Sequence, residues 1–396
     1  ERWQKLVAAE ERRATETPHQ TRPEILAALW REQALLLRKV GREQESDELL
    51  MRLVDREENS ISPEALETLL RWLVEQRAFA VIDHFAKKFA ERLSEEPLLL
   101  YSLAEARKAQ GRDDLVRDAI AQALAIGNEK DASQQHWRIA VELYRRHRWR
   151  WAEGEYRRAA ELAEQHQDRW SIDARIRLSE LLHDRGADKE AAPLLEQVVG
   201  DMEKNHEENN DDENANRSLE ATRARMHFFY AGSLTKPAER NERIRRLVDA
   251  VTEDPTDADA LIALYHVENL DPPLAEQNRK RIREAAETFQ QQIQQQPDEP
   301  TPYNQFAWLV ANTEGDYVEA LRCSEKSLEL VRANPRAIGG EASLLDTLGR
   351  CHFAVGDYEN ALKAQSQAVE LEPESGLMAS QLEVFRQALK KAKNQP

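Results

Sequence analysis

Ala342–Pro373 reads ASLLDTLGRCHFAVGDYENALKAQSQAVELEP, and this stretch decides the fold. Leu345, Leu348, Gly349 and His352 recur at intervals of three and four, as on one face of a helix. Gly356-Asp357-Tyr358 breaks the pattern, and Gly356 suits a left-handed helix exit. A second face follows at Ala361, Leu362, Gln365, Ala368 and Leu371, and Pro373 stops it. The spacing predicts two amphipathic helices joined by a short turn.

The same template lies upstream. Gly315-Asp316-Tyr317 precedes Ala320 and Leu321 and follows Phe306 and Trp308. Gly186 separates Leu178 and Leu182 from Ala191, Leu195 and Val198. Gly111 and Gly41 divide comparable stretches, and Trp149, Ala152, Tyr156 and Ala159 give a further second helix. The period predicts about nine helix pairs spaced by roughly 34 residues. A small residue at position 8, Gly at 15, an aromatic at 17, Ala at 20 and 27 and Pro at 32 resemble the tetratricopeptide repeat (TPR) family. The resemblance extends from Arg22 to Pro373 and is strongest in the last two pairs. Residues 304–309 and 345–349 look like the C-terminal end of large bacterial multi-repeat TPR proteins.

The resemblance implies an all-α, right-handed superhelical solenoid of about nine TPR-like pairs with a C-terminal capping helix. The expected organisation is an N-terminal helix and linker at 1–21, pairs one to five at 22–199 and pairs six to nine at 218–373. Between the two blocks, the acidic, Asn-rich stretch 200–217 lacks apolar periodicity and reads as a mobile loop. Residues 374–396 read as the cap and tail, with Leu377, Leu382, Phe385 and Leu389 on one face. Pro193 falls inside an expected helix, which a kink or a late helix start would accommodate.

Composition fits this reading. Gly (13) and Pro (15) are few, and 33% of residues are charged, more than the roughly 25% of an average domain. A net charge of −17 disfavours nucleic acid and anionic membrane surfaces. The two cysteines, Cys323 and Cys351, exclude a disulfide framework and read as small buried residues. No run of 18 apolar residues occurs, so no membrane insertion is expected. The chain begins at Glu1, which fits a processed product or a piece of a longer protein. Its compartment is open between cytoplasm and periplasm.

In the TPR family the first helix of each pair lines the concave side. By that resemblance, positions 2, 5, 9 and 12 form a partner-binding groove. They are Tyr101, Glu105 and Lys108; Trp137, Val141 and Tyr144; Ile176, Glu180 and His183; then Arg225 and Phe228. Aromatic rings at positions the core does not need point to an interface. The alternative is a rotated register in which these rings pack internally. The carboxylate clamp of chaperone-binding TPR proteins needs Lys at position 5 and Asn at 9. Here those positions hold Arg31 and Leu35, Glu67 and Arg71, or Asp346 and Arg350, so chaperone binding does not carry over.

Other chemistry is weaker. Six arginines between Arg145 and Arg158 interleave with Trp149, Trp151 and Tyr156, most simply as a solvated helix face. Glu207, Glu208, Asp211, Asp212 and Glu213 lack the alternation and central Gly of a calcium loop. No HExxH and no phosphate loop occurs, so no catalytic residue, metal or cofactor is expected. The expected function is a non-catalytic protein–protein interaction scaffold holding a peptide or partner domain. The alternatives are a regulatory or assembly domain of a larger kinase, transport or envelope-assembly protein and, behind it, an enzyme with an unrecognised site. Self-association by end-to-end stacking follows if the last helix caps poorly.

Overall fold

The computed structural model describes residues 2–16, 23–56, 61–127, 131–166, 169–208, 213–333 and 340–393. Those residues form helices and turns, with no strand among them. The chain divides into two compact units, residues 1–132 and 133–396.

The first unit contains α1 (Arg2–Glu16), α2 (Pro23–Lys39), α3 (Glu43–Arg56), α4 (Pro63–Glu75), α5 (Phe79–Lys88), α6 (Ala90–Glu95), α7 (Pro97–Ala109) and α8 (Asp113–Ala125). Successive helices pack as pairs because each has one apolar stripe that only a neighbour can cover. Ser62 starts α4 by accepting a hydrogen bond from the Ala65 amide at 3.3 Å, and Pro63 occupies the first helical position. Leu66, Leu70 and Leu73 of α4 are buried with Ile82 and Phe85 of α5.

The second unit contains α9 (Ala132–Arg145), α10 (Trp149–His166), α11 (Arg169–Asp184), α12 (Asp188–Glu208), α13 (Glu213–Ser233), α14 (Arg240–Glu253), α15 (Ala258–Tyr265), α16 (Pro272–Gln295), α17 (Pro300–Asn312), α18 (Tyr317–Ala333), α19 (Glu341–Ala354), α20 (Tyr358–Leu371) and α21 (Gly376–Lys393). Gly356 turns the α19–α20 pair at φ +84°, a backbone state that costs other residues strain. Arg77 and His147 hold the same left-handed state without glycine, at φ 55° and 56°. Their pairs are therefore harder to see in the sequence. Gly349 serves a different purpose: a Cβ there would lie 2.9 Å from Gln365 Oε1 and 3.2 Å from the Ala361 carbonyl. α19 and α20 approach that closely only over a glycine.

α21 caps the second unit as expected. Met378, Leu382 and Phe385 are buried, and Phe385 stacks on Phe353 at 4.8 Å. Cys323 and Cys351 are free and buried.

Two expectations need correction. The stretch 200–217 is not a loop where the structure describes it: α12 continues to Glu208 and α13 begins at Glu213, with 209–212 outside the described residues. Glu, Lys and Met favour helix without apolar periodicity. Arg223 of α13 also ties down Glu203 of α12 at 2.7 Å. Pro193 lies inside α12, which starts at Asp188, so the helix starts before the proline rather than after it.

Candidate functional site

The second unit folds back on itself. Arg150, at the start of α10, reaches Glu374 beside α21 at 2.6 Å. A Cβ on Gly376 would lie 3.9 Å from the Arg185 carbonyl. This closure turns the inner face of the helix pairs into two cavities that share Glu180 and Asp184 of α11. The smaller, about 620 Å³, is lined by α9, α10 and α11, with Trp137, Val141, Tyr144 and Tyr156 as its apolar wall. The larger, about 670 Å³, is lined from α11, α13, α15, α17, α19 and α21.

Among the expected groove residues, Trp137, Val141, Tyr144, Glu180, His183, Arg225 and Phe228 line these cavities. Ile176 is half-buried and lines neither. Tyr101 is a correction: it is 1% exposed in the core of the first unit. α7 touches α4, α5, α6 and α8, so neighbours surround it and it presents no free face at that position. Glu105, one turn on, is half-buried and Lys108 is exposed.

Arg225 organises the larger cavity. Its Nε and Nη2 donate to the two carboxylate oxygens of Glu180 at 3.1 and 2.7 Å, and Nη1 donates to Asp259 at 2.9 Å. Its guanidinium lies over the rings of Phe228 and Phe229, at 5.0 and 4.8 Å. Trp308 Nε1 donates to the other oxygen of Asp259 at 2.8 Å. Asp257 is the N-cap of α15, accepting from the Ala260 amide at 2.9 Å, and lies 3.7 Å from Arg225. Both aspartates therefore sit where the positive end of the α15 dipole favours anions. Burial works against the charge on Arg225, but Glu180, Asp257 and Asp259 outweigh it and hold the pKa well above its ordinary value. Partial burial works against the charge on Asp259 too, yet Arg225 and Trp308 keep its pKa below the usual carboxylate value.

His183 is held between Asp188 and a ring. Its Nδ1 lies 2.6 Å from Asp188 Oδ1, and it stacks on Phe229 at 4.5 Å. Burial alone would lower its pKa; the Asp188 hydrogen bond raises it instead. In the smaller cavity the Trp137 indole donates to Asp173, and its ring lies 4.7 Å from Trp170. Tyr144 packs edge-on against Trp149 at 4.2 Å. Burial, then Glu372, pushes the Tyr144 hydroxyl pKa up.

Sequence reading missed a set of acids. Burial and then Glu180 raise Asp184 to about 7. Burial followed by Asp184 and Asp346 raises Glu372 to about 7. Burial raises Asp346 to about 6, although Gln365 and Gln381 donate to it. Asp346 had a visible signal, since it occupies position 5 of the last pair. Asp184 lies one turn beyond Glu180. Glu372 had none: it follows the last turn of α20 and lines neither cavity.

The geometry defines a class: an all-helical protein of stacked helix pairs whose first helices line a shared interior. Residues 307–373 match the tetratricopeptide repeat family. That segment carries tetratricopeptide repeats. The chain is similar to several solved structures. TTC0263, a thermophilic TPR protein of Thermus thermophilus, shares 16% identity over 55% of this chain and 98% of its own, with a TM-score of 0.33. Yeast Tom70 shares 12% identity over 94% of this chain and 91% of its own, with a TM-score of 0.35. A tetratricopeptide repeat protein of Parabacteroides merdae shares 13% over 73% and 98%, also with a TM-score of 0.35. Likenesses this distant carry no argument about function. The curated proteins contain no significant match.

Proposed function

We propose that this protein is a non-catalytic interaction scaffold whose second unit holds a peptide segment of a protein partner in its interior groove. One observation carries the reading: side chains from the first helices of successive pairs converge on two adjoining cavities. The larger cavity takes residues from five such helices and the cap, so one extended segment could touch all of them. Trp137, Val141 and Phe228 supply apolar surface, and Arg225, Glu180 and Asp259 fix polar register. Because stacking presets the groove, binding loses little conformational entropy on the scaffold side.

The test is capture of partners from the native lysate, identified by mass spectrometry. Wild type is compared with a Trp137→Ser, Val141→Arg, Phe228→Ser variant whose folding is checked by circular dichroism. The reading predicts that specific partners vanish with the folded variant. Retention of every partner overturns it. Turnover on a substrate panel that disappears in Asp184→Asn would overturn the non-catalytic part, since a carboxyl titrating near neutrality also suits general acid–base chemistry.

A further inference from the structure

The smaller cavity holds donors that no group of the protein uses. Tyr156 of α10 is only 2% exposed and lines it, yet its hydroxyl makes no hydrogen bond among the described residues. Buried polar groups nearly always have a partner, so an orphan on a cavity wall marks a place for a ligand atom. Burial pushes the Tyr156 pKa up to about 12, which keeps the proton on the hydroxyl. Arg138 of α9 lines the same cavity and, among the described residues, makes neither an ion pair nor a hydrogen bond. Arg177 of α11 approaches one oxygen of Asp173 at 4.0 Å, and the Trp137 indole already donates to that oxygen. The indole contact joins the early turns of α9 and α11. Arg138, next to Trp137, and Arg177, one turn beyond Asp173, therefore share one end of the cavity. The acids of the wall are placed otherwise. Glu180 is held by Arg225, and Asp184 lies two turns past Arg177, about 10 Å along α11.

We propose that the smaller cavity receives an acidic side chain of the bound partner segment, with its carboxylate on Arg138, Arg177 and the Tyr156 hydroxyl and a bulky apolar neighbour against Trp137, Val141 and Leu181. This rests on the scaffold reading above and names the partner's chemistry. Charge complementarity selects the occupant. A guanidinium only donates and a phenol hydroxyl donates well, while a carboxylate only accepts and has room for all three donors. Hydrogen bonds between a guanidinium and a carboxylate are among the strong ones. A basic side chain would meet two like charges instead. The net charge of −17 repels an acidic segment at long range, so a preference for one must come from these local donors.

The test is fluorescence anisotropy on the full chain with two labelled, end-blocked probes: a peptide alternating leucine with glutamate, and its counterpart with glutamine for every glutamate. The glutamate peptide is expected to bind about tenfold tighter. Arg138→Gln with Arg177→Gln is expected to weaken it about tenfold and to erase that preference. Tyr156→Phe removes one oxygen and keeps the ring; it is expected to weaken the glutamate peptide about threefold or more and to leave the glutamine peptide nearly unchanged. A control pair carries the same charge change outside the cavity: Arg245→Gln on α14 with Arg322→Gln on α18, whose side chains are 64% and 72% exposed. That pair is expected to change binding less than about twofold. Equal binding of the two peptides, equal loss in both arginine pairs, or an unchanged Tyr156→Phe each overturns the proposal. If lysate partners still depend on Trp137 and Phe228 while the glutamate peptide ignores Arg138, Arg177 and Tyr156, the acidic-residue proposal fails and the scaffold reading survives. If lysate partners ignore Trp137 and Phe228 as well, both fall. Thermal melts keep the variants interpretable, because exposed arginines and a hydroxyl without a partner add little to stability.

Discussion

Arg225 of α13 and Glu180 of α11 form a two-pronged ion pair, Nε and Nη2 each meeting a different carboxylate oxygen. The pair joins the first helices of neighbouring repeats across the groove. Asp257 and Asp259 extend it to a third repeat. Replacing Arg225 by Met leaves three acids without their shared cation. Breaking a buried pair on one side costs about 3–5 kcal/mol. A smaller cost, about 1–2 kcal/mol, is expected here because the Arg225, Glu180 and Asp259 side chains stay 23%, 38% and 37% exposed. Arg225→Lys should recover part of this, since lysine keeps the charge but not the fork. Urea denaturation of both variants checks the order; a Met variant as stable as wild type would remove Arg225 from any structural role.

Asp184 and Glu372 tie stability to pH. Their folded pKa of about 7 exceeds the ordinary values of 3.8 and 4.5. Between the ordinary and folded values, the folded chain holds protons that the unfolded chain releases. Their contribution to stability is therefore highest in acid and declines as pH rises toward about 7. Asp184 is faced by Glu180, His183, Arg225 and Asp259, and Glu372 by Asp184 and Asp346. Their combined field favours the neutral forms. The melting temperature of Asp184→Asn with Glu372→Gln should fall less than that of wild type between about pH 5 and pH 8. Parallel curves would refute the assignment.

His136 of α9 and Glu155 of α10 lie 2.5 Å apart at 2% and 0% exposure. They join the two helices of one pair in its interior. His136→Leu leaves the Glu155 carboxyl without this partner in a dry site, at a cost of about 3 kcal/mol or more. Glu155→Gln keeps a hydrogen-bonding group and should cost less. Differential scanning calorimetry separates them, and equal melting points would contradict the pairing.

Gly232 of α13 faces Asp188 at the start of α12. A Cβ at Gly232 would lie 2.2 Å from Asp188 Oδ2. Gly232→Ala must push that carboxylate aside and disturb its contact with His183. Overpacking of this kind costs about 1–3 kcal/mol. A titration of His183 by NMR would show its pKa falling back as Asp188 is displaced. An unchanged titration would mean that the carboxylate moved without losing the histidine.

The repeat was readable because its signals are local. Leu345, Leu348, Gly349, Gly356 and Pro373 mark helix faces, a close approach and two stops within one short segment. Positions 2, 5, 9 and 12 brought Trp137, Val141, Tyr144, Glu180, His183, Arg225 and Phe228 to one interior. The same rule failed at Tyr101, because how many neighbours surround α7 is not written in α7. It also failed at 200–208, where helix-favouring polar residues without an apolar stripe read as loop. Arg77 and His147 hid two pair turns by taking the left-handed backbone without glycine.

The sequence alone determined that the chain folds as helix pairs and, through residue spacing, the apolar face of each helix. Only the tertiary structure decided that Asp184 of α11 and Asp346 of α19 line one cavity, and that Arg225 serves three acids from other repeats. Helical periodicity is set by contacts a few residues apart. Closure of the second unit, by contrast, sums small rotations over many pairs, so no single segment encodes which distant carboxyls finally meet.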